Sequence, residues 1–238
     1  MASLVLLHGF SQTHRAWDAV GASLGERYSE VLAPDLRGHG AAAATGPVSF
    51  DAVLSDVAAL SSRRFVLAGY SMGGRLALAF ALAHPQRVER LVLVGASPGL
   101  SDPGERAARR ARDERLADVI ERDGLEAFTD AWGRLPLWDG QPPAVAAAAR
   151  ADRLRNTAPG LAAALRGLGA GVMEPLWDRL AELRMPARFV AGARDWRFHT
   201  IAATMALLAP HGEAVAVPGA GHAVPLEAPE DVAGAIGG

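Results

Sequence analysis

Three residues of this chain have the types, order and settings of a proton-relay nucleophile: Ser71, Asp195 and His222. Ser71 lies in Gly69-Tyr70-Ser71-Met72-Gly73, a G-x-S-x-G pattern. A strand-type apolar run, Phe65 to Ala68, enters it, and an Ala/Leu-rich helical run, Leu76 to Ala83, leaves it. So tight a strand-to-helix turn needs small residues beside the serine. It lifts the hydroxyl above the sheet and aims the helix N-terminus at a developing anion. A serine hydroxyl is a weak nucleophile or base until a histidine takes its proton, and that histidine needs an acid to orient it. Asp195 follows a strand and a Gly turn; His222 follows the last strand in a Gly-rich loop. Two other acids compete. Asp35 precedes the serine, the wrong order, and Glu227 reads as a helix cap or surface residue. An oxyanion hole needs two backbone N–H groups. Met72, just after the serine, is one candidate, and Phe10, in the turn after the first strand, is the other. The Phe10 ring can pack in a core while its N–H donates.

The elements that must hold these groups alternate. Strand-type runs at Leu4–Leu7, Glu30–Ala33, Phe65–Ala68, Val88–Val94, Ala187–Val190 and Glu213–Val217 are separated by helical patterns. These include Thr13–Arg27, Phe50–Ser62, His199–Leu208 and Glu227–Ile236. The rhythm predicts an α/β fold, a mostly parallel sheet of about six strands with helices on its faces. From about Leu100 to Arg184 no convincing strand appears, and the Ala-rich Ala144–Ala151 is a good helix by propensity. We therefore expect a core in two parts, 1–99 and 185–238, with a helical lid inserted at 100–184. The strand at Glu30–Ala33 is expected at an open sheet edge.

Composition narrows the chemistry further. Hydrophobic residues make up 50% of the 238, enough for a sizeable core. There is no Cys, which excludes disulfides, thiolate metal sites and a cysteine nucleophile. All 24 basic residues are Arg, which excludes Schiff-base and P-loop lysines. The net charge of -2 carries no global footprint for nucleic acid. No apolar run reaches membrane-spanning length, and the first residues lack a basic leader; a soluble cytoplasmic protein is the expectation. His8 and His39 read as loop-organising histidines, and no H-x-x-x-H or carboxylate cluster suggests a metal. No cofactor is implied.

His8-Gly9-Phe10, the Ser71 turn, Asp195 and Gly219-Ala220-Gly221-His222 together resemble the α/β-hydrolase superfamily. Finer matches resemble one branch of it, the 2-succinyl-6-hydroxy-2,4-cyclohexadiene-1-carboxylate synthases of menaquinone biosynthesis. These are Gly74-Arg75 after the serine turn, Ser97-Pro98-Gly99-Leu100 with Arg109-Arg110 and Asp113, Arg153-Leu154-Arg155-Asn156, Pro175-Leu176-Trp177, and Asp195 with Arg197-Phe198. The resemblance implies a lyase that eliminates pyruvate from an enolpyruvyl cyclohexene carboxylate, with the activated serine as base. It also implies Arg75, Arg109 and Arg153 as clamps for a small anionic substrate, and Tyr70 and Trp132 as pocket wall or hydrogen-bond donors. Guanidinium suits that task because it binds carboxylate bidentately and stays charged when desolvated.

Plainer readings stand beside these. Arg106, Arg109 and Arg110 share a helix face that salt bridges would explain, with Arg109 the candidate to enter a site. Arg153 and Arg155 differ by two, so only one should face inward. Trp132 fits lid core as well as pocket wall. Arg197 stands where the branch usually has Lys, and Glu174 where it has Gln. A carboxylate touching the substrate at Glu174 would repel an anion. A serine hydrolase (esterase, lactonase or thioesterase) uses the same three residues, so the relay alone does not separate it from a lyase. A non-catalytic binding member of the fold would usually have lost one of them.

Overall fold

The computed structural model describes residues 1–238. Six strands form one sheet: β1 (Ser3–Leu7), β2 (Glu30–Leu32), β3 (Phe65–Tyr70), β4 (Val88–Val94), β5 (Ala187–Gly192) and β6 (Gly212–Val217). Their order is β2-β1-β3-β4-β5-β6, and every neighbouring pair is parallel. β2 is the short edge strand, with Val31 exposed.

The central strands are apolar on both faces, as a sheet covered by helices on each side requires. Alternation sorts their side chains into two cores. Phe65 and Leu67 join Val5, Leu7, Leu91 and Phe189 on one face. Val66, Ala68 and Tyr70 join Leu4, Leu6, Val92 and Val190 on the other. The first face is covered by α2 (Phe50–Ala59), α3 (Met72–Ala83) and a later helix at Trp196–Leu208. The second is covered by α1 (Asp18–Leu24) and the C-terminal helix at Pro229–Gly237.

Between β4 and β5 the chain leaves the sheet and forms α4 (Pro103–Trp132), α5 (Pro143–Arg153) and α6 (Ala158–Leu168). α4 starts on an Asp102 cap and kinks at Gly124, whose φ is +86°. α4 and α6 share a small core of their own, Ala117, Ile120, Phe128, Leu161, Ala162 and Leu165. Arg166 ties them on the outside, reaching Glu114, Asp118 and Glu121. After β5 come α7 (Trp196–Leu208), the single turn α8 (Val224–Glu227) and α9 (Pro229–Gly237). No helix is long and apolar enough to cross a membrane.

Several boundaries differ from the sequence expectation. The Thr13–Arg27 pattern resolves into a 3-10 turn, His14–Trp17, followed by α1, which stops at Gly25 with φ +56°. α2 ends at Ala59 and not Ser62. α3 begins at Met72, because the turn passes directly into helix, and α7 begins at Trp196 because Asp195 caps it.

Candidate active site

β3 delivers Ser71 into the turn with φ +51°, a left-handed setting rare for a residue with a side chain. The neighbours show why only glycine fits around it. A Cβ on Gly69 would strike the Gly73 backbone, one on Gly73 the Leu7 and His8 carbonyls, and one on Gly74 the Ala96 side chain. Ser71 N–H donates to the Val94 carbonyl at 2.8 Å, which locks the turn to the tip of β4.

His222 and Asp195 arrive from neighbouring strand tips. Asp195 Oδ2 accepts from His222 Nδ1–H at 2.7 Å, and Asp195 Oδ1 accepts from Phe198 N–H at 3.3 Å as the cap of α7. That contact leaves Nε2 of His222 as the lone-pair nitrogen, 3.2 Å from Ser71 Oγ. The His222 ring is 97% shielded, packed against Phe198 with centroids 4.6 Å apart. In this arrangement the serine proton has an acceptor, and the resulting imidazolium has a carboxylate beside it.

Glu227 is neither a surface residue nor a rival acid. Its buried carboxylate accepts from Gly221 N–H and from Arg194, both at 2.7 Å, and so fixes the loop that carries His222. Asp35 holds His14 and the Ala41 N–H on another loop. The hydrogen bonds from His14 and Ala41 outweigh its partial burial and keep its carboxyl below the usual range.

The loop after β1 carries Phe10. Two fully buried histidines brace it. His8 Nε2 accepts from Leu36 N–H at 2.9 Å and its Nδ1–H donates to the Gly9 carbonyl. His39 Nε2 accepts from Ser11 N–H at 3.3 Å and its Nδ1–H donates to the Arg37 carbonyl. Burial drives both pKa values down, His39 to about 3, so both rings are neutral. The Phe10 ring packs edge-on against Trp132, Phe128 and His39.

In front of Ser71 lies a cavity of about 210 Å³. Phe10, Met72, Trp132, Phe198 and the lower face of α6 give it apolar walls, and Arg75, Arg109 and Arg197 also line it. No carboxylate does. Arg75, on the first turn of α3, is 91% shielded and donates one hydrogen bond, to the Leu168 carbonyl at 2.9 Å. Burial, and then the nearby Arg109, lower its pKa to about 10. Arg109 donates to Asp113 at 2.8 Å. Arg106 instead turns back to the Leu100 and Ser101 carbonyls, and Arg110 is exposed.

Arg153 and Tyr70 lie apart from that group, in a smaller enclosed recess of about 40 Å³ that also reaches Ser71 and His222. Arg153 is buried, with its guanidinium over the Trp138 ring at 5.4 Å and its Nε unpartnered, while Arg155 is exposed. The Tyr70 hydroxyl and Trp132 Nε1–H are buried without partners as well, and burial raises the tyrosine pKa. Trp132 lines both spaces, as do Phe10, Ser71, Leu137 and His222.

Two features were not read from the sequence as they stand. Arg197 faces the cavity from the first turn of α7, a position its spacing of two from Asp195 could have signalled. Glu174, whose carboxylate would repel an anion if it touched substrate, is exposed and does not line the cavity.

A parallel sheet with a strained serine turn, a Ser-His-Asp relay at its strand tips and helices inserted after β4 defines one class of protein. The model of the alpha/beta hydrolase family matches residues 4–235, and the chain belongs to that family. Within it, the chain is 38% identical over 239 residues to a Bacillus subtilis (strain 168) protein, spanning 95% of this chain and 86% of that one. That protein is provisionally attributed 2-succinyl-6-hydroxy-2,4-cyclohexadiene-1-carboxylate synthase activity. The synthase of that name from Enterobacter sp. (strain 638) is 33% identical over 237 residues, covering 98% of this chain and 89% of the enzyme. Among solved structures, MenH from S. aureus superposes with a TM-score of 0.92 at 30% identity, covering 99% of this chain and 91% of that one.

Proposed function

We propose that this chain is a carbon–oxygen lyase that eliminates pyruvate from an enolpyruvyl cyclohexene carboxylate to give 2-succinyl-6-hydroxy-2,4-cyclohexadiene-1-carboxylate, a step of menaquinone biosynthesis. The observation that carries this reading is the cavity wall: three guanidiniums and no carboxylate in front of a serine relay. An ester of ordinary apolar acids would gain nothing from three guanidiniums around it, least of all from Arg75, whose buried charge opposes folding. A polycarboxylate gains bidentate hydrogen bonds from each.

The geometry supports the following course. His222 Nε2 takes the Ser71 proton, with Asp195 holding the imidazolium. The serine oxygen then removes the ring proton next to the succinyl carbonyl, the most acidic C–H of such a substrate. The electron pair moves through the ring alkene, which shifts by one position, and a second ring double bond forms as the C–O bond to the enolpyruvyl group breaks. The departing enolpyruvate takes up the proton held on His222 and becomes pyruvate, while Ser71 keeps the ring proton, so the relay returns to its starting state. The oxygen of the transient enolate is met by the N–H groups of Met72 and Phe10. Arg75, Arg109 and Arg197 hold carboxylates in the larger space, and Arg153 with Tyr70 and Trp132 holds one in the recess. The inserted segment 100–184 acts as a lid that excludes water from the enolate. The reaction needs no cofactor, and we place it in the cytoplasm.

The test is a side-by-side assay. The enolpyruvyl precursor, generated in situ, is offered to the purified protein while pyruvate release is followed, and p-nitrophenyl acetate and butyrate are offered separately. Rapid pyruvate release with feeble ester cleavage is the expected outcome. Strong ester cleavage with no pyruvate above background would make the protein a serine hydrolase and remove the lyase reading.

A further inference from the structure

Asn156 follows α5 in the inserted helical segment, yet its buried amide belongs to three parts of the molecule at once. Its Nδ2 donates to the Ser11 carbonyl at 2.9 Å and to the Arg153 carbonyl at 3.0 Å. Its Oδ1 accepts from Gly40 N–H at 3.0 Å. Ser11 is the residue after Phe10, and it sits at φ +64°, one of only two non-glycine residues in the left-handed region; the other is Ser71. A strained residue holds its conformation only where its surroundings over-determine it. For Ser11 those surroundings are His39 on the N–H side and Asn156 on the carbonyl side. Two residues further on, Asp152 of α5 takes the Thr13 N–H at 3.0 Å and the Thr13 hydroxyl at 2.5 Å.

We propose that Asn156 is a positioning residue for catalysis: from the lid, it holds the strained Ser11 so that the preceding Phe10 N–H points into the oxyanion hole. The same amide carries the backbone of Arg153, so the recess that binds an anion and the hole that receives the oxyanion share one anchor. The oxyanion hole of this chain is therefore complete only with the lid docked. This inference rests on the oxyanion role given to Phe10 above.

A small neutral fluorophosphonate tests it without the native substrate. Ser71 Oγ forms a bond to phosphorus, fluoride leaves, the serine proton passes to His222, and the phosphonyl oxygen occupies the oxyanion hole. In Asn156→Asp the carboxylate keeps the size but loses the donor to Ser11. The expected result is labelling of Ser71 slowed on the order of 30-fold, with kcat for pyruvate release falling by a similar factor. KM rises as well, but by no more than about fivefold, because Nδ2 also holds the Arg153 carbonyl while the guanidiniums of Arg75, Arg109 and Arg197 are untouched. Asn156→Ala, which adds no charge, gives the same comparison if the aspartate variant folds poorly. Labelling and kcat both at wild-type values would overturn the proposal, as would a rise in KM alone, which would make Asn156 a support for Arg153 only. Wild-type protein that is not labelled at all would remove the oxyanion hole and this role with it. Labelled wild-type protein that releases no pyruvate would sink the lyase reading and leave the role of Asn156 to the labelling ratio.

Discussion

The two sides of the cavity are built by different means. On the sheet side, fixed backbone and short buried carboxylates do the positioning: Ser71 is locked by its N–H to Val94 and by glycines that admit no Cβ, and His222 by Asp195 and by the Glu227 carboxylate on Gly221 N–H. Across the cavity, long side chains reach in from helices: Arg75 of α3 hangs on one carbonyl, and from the inserted helices Arg109 rests on Asp113 and Arg153 over Trp138. The packed sheet edge tolerates little change, and in the proposed lyase it sets where bonds are made and broken. Long side chains reaching in from the helices can be exchanged without disturbing the sheet, and in the proposed lyase they set what is bound. A single serine relay can therefore serve a lyase or an esterase according to what stands over it.

The sharpest break in this comparison is Ser71→Ala. The turn stays intact, since its strain and hydrogen bonds are backbone, so the melting temperature should move by less than about 2 °C. Pyruvate release should fall by at least about 10⁴-fold, as it does when a serine acting with its histidine is lost. Calorimetry and a stopped pyruvate assay on the same preparation check both halves. Residual activity within tenfold of wild type would mean that the base is another group.

Arg75→Met should separate binding from stability. The guanidinium is buried, and burial pulls its pKa from 12.5 to about 10. Keeping it charged at neutral pH therefore opposes folding by roughly 3 kcal/mol, offset in part by the Leu168 hydrogen bond. A methionine of similar reach should raise the melting temperature by about 3–8 °C. It should lower kcat/KM for the anionic substrate on the order of 100-fold. Any slow cleavage of a neutral ester should change by less than about threefold. Equal losses on both substrates would show that Arg75 shapes the cavity and does not clamp an anion.

How legible each side was follows from the same contrast. The relay could be read because local rules force it: small residues in a tight turn, and an acid and a histidine each just past an apolar strand. The spacing of Arg153 and Arg155 was enough to say that only one faces inward. What could not be read were contacts between residues far apart in sequence. Glu227 resembles any helix-end acid until it meets Gly221 and Arg194. Asn156 lies 145 residues from Ser11, and Asp152 lies 139 from Thr13, and no periodicity reports such pairs. Glu174 was left open because a motif position does not say whether its side chain reaches the site, and the chain turns that side chain to solvent.

The smallest effect tests the seam between the two sides, where His39 supports the Phe10 loop. In the folded protein its ring is neutral, with burial and then His8 holding its pKa near 3 against an ordinary 6.5. The unfolded chain therefore binds a proton on His39 between pH 6.5 and 3 that the folded chain does not. In that window stability rises with pH, and acidification removes it. At pH 5 the loss relative to pH 7.5 is about 2 kcal/mol from this residue, and the buried His8 adds to it in the same direction. In His39→Gln the side-chain oxygen can still accept from Ser11 N–H, but nothing titrates. The variant should lose less stability than wild type between pH 7.5 and pH 5, by about that amount, in urea unfolding followed through tryptophan fluorescence. An unchanged slope would mean that His39 is protonated in the folded protein. Its Nε2 would then no longer accept from Ser11, and of the two hydrogen bonds that hold the Ser11 backbone only the one from Asn156 would remain.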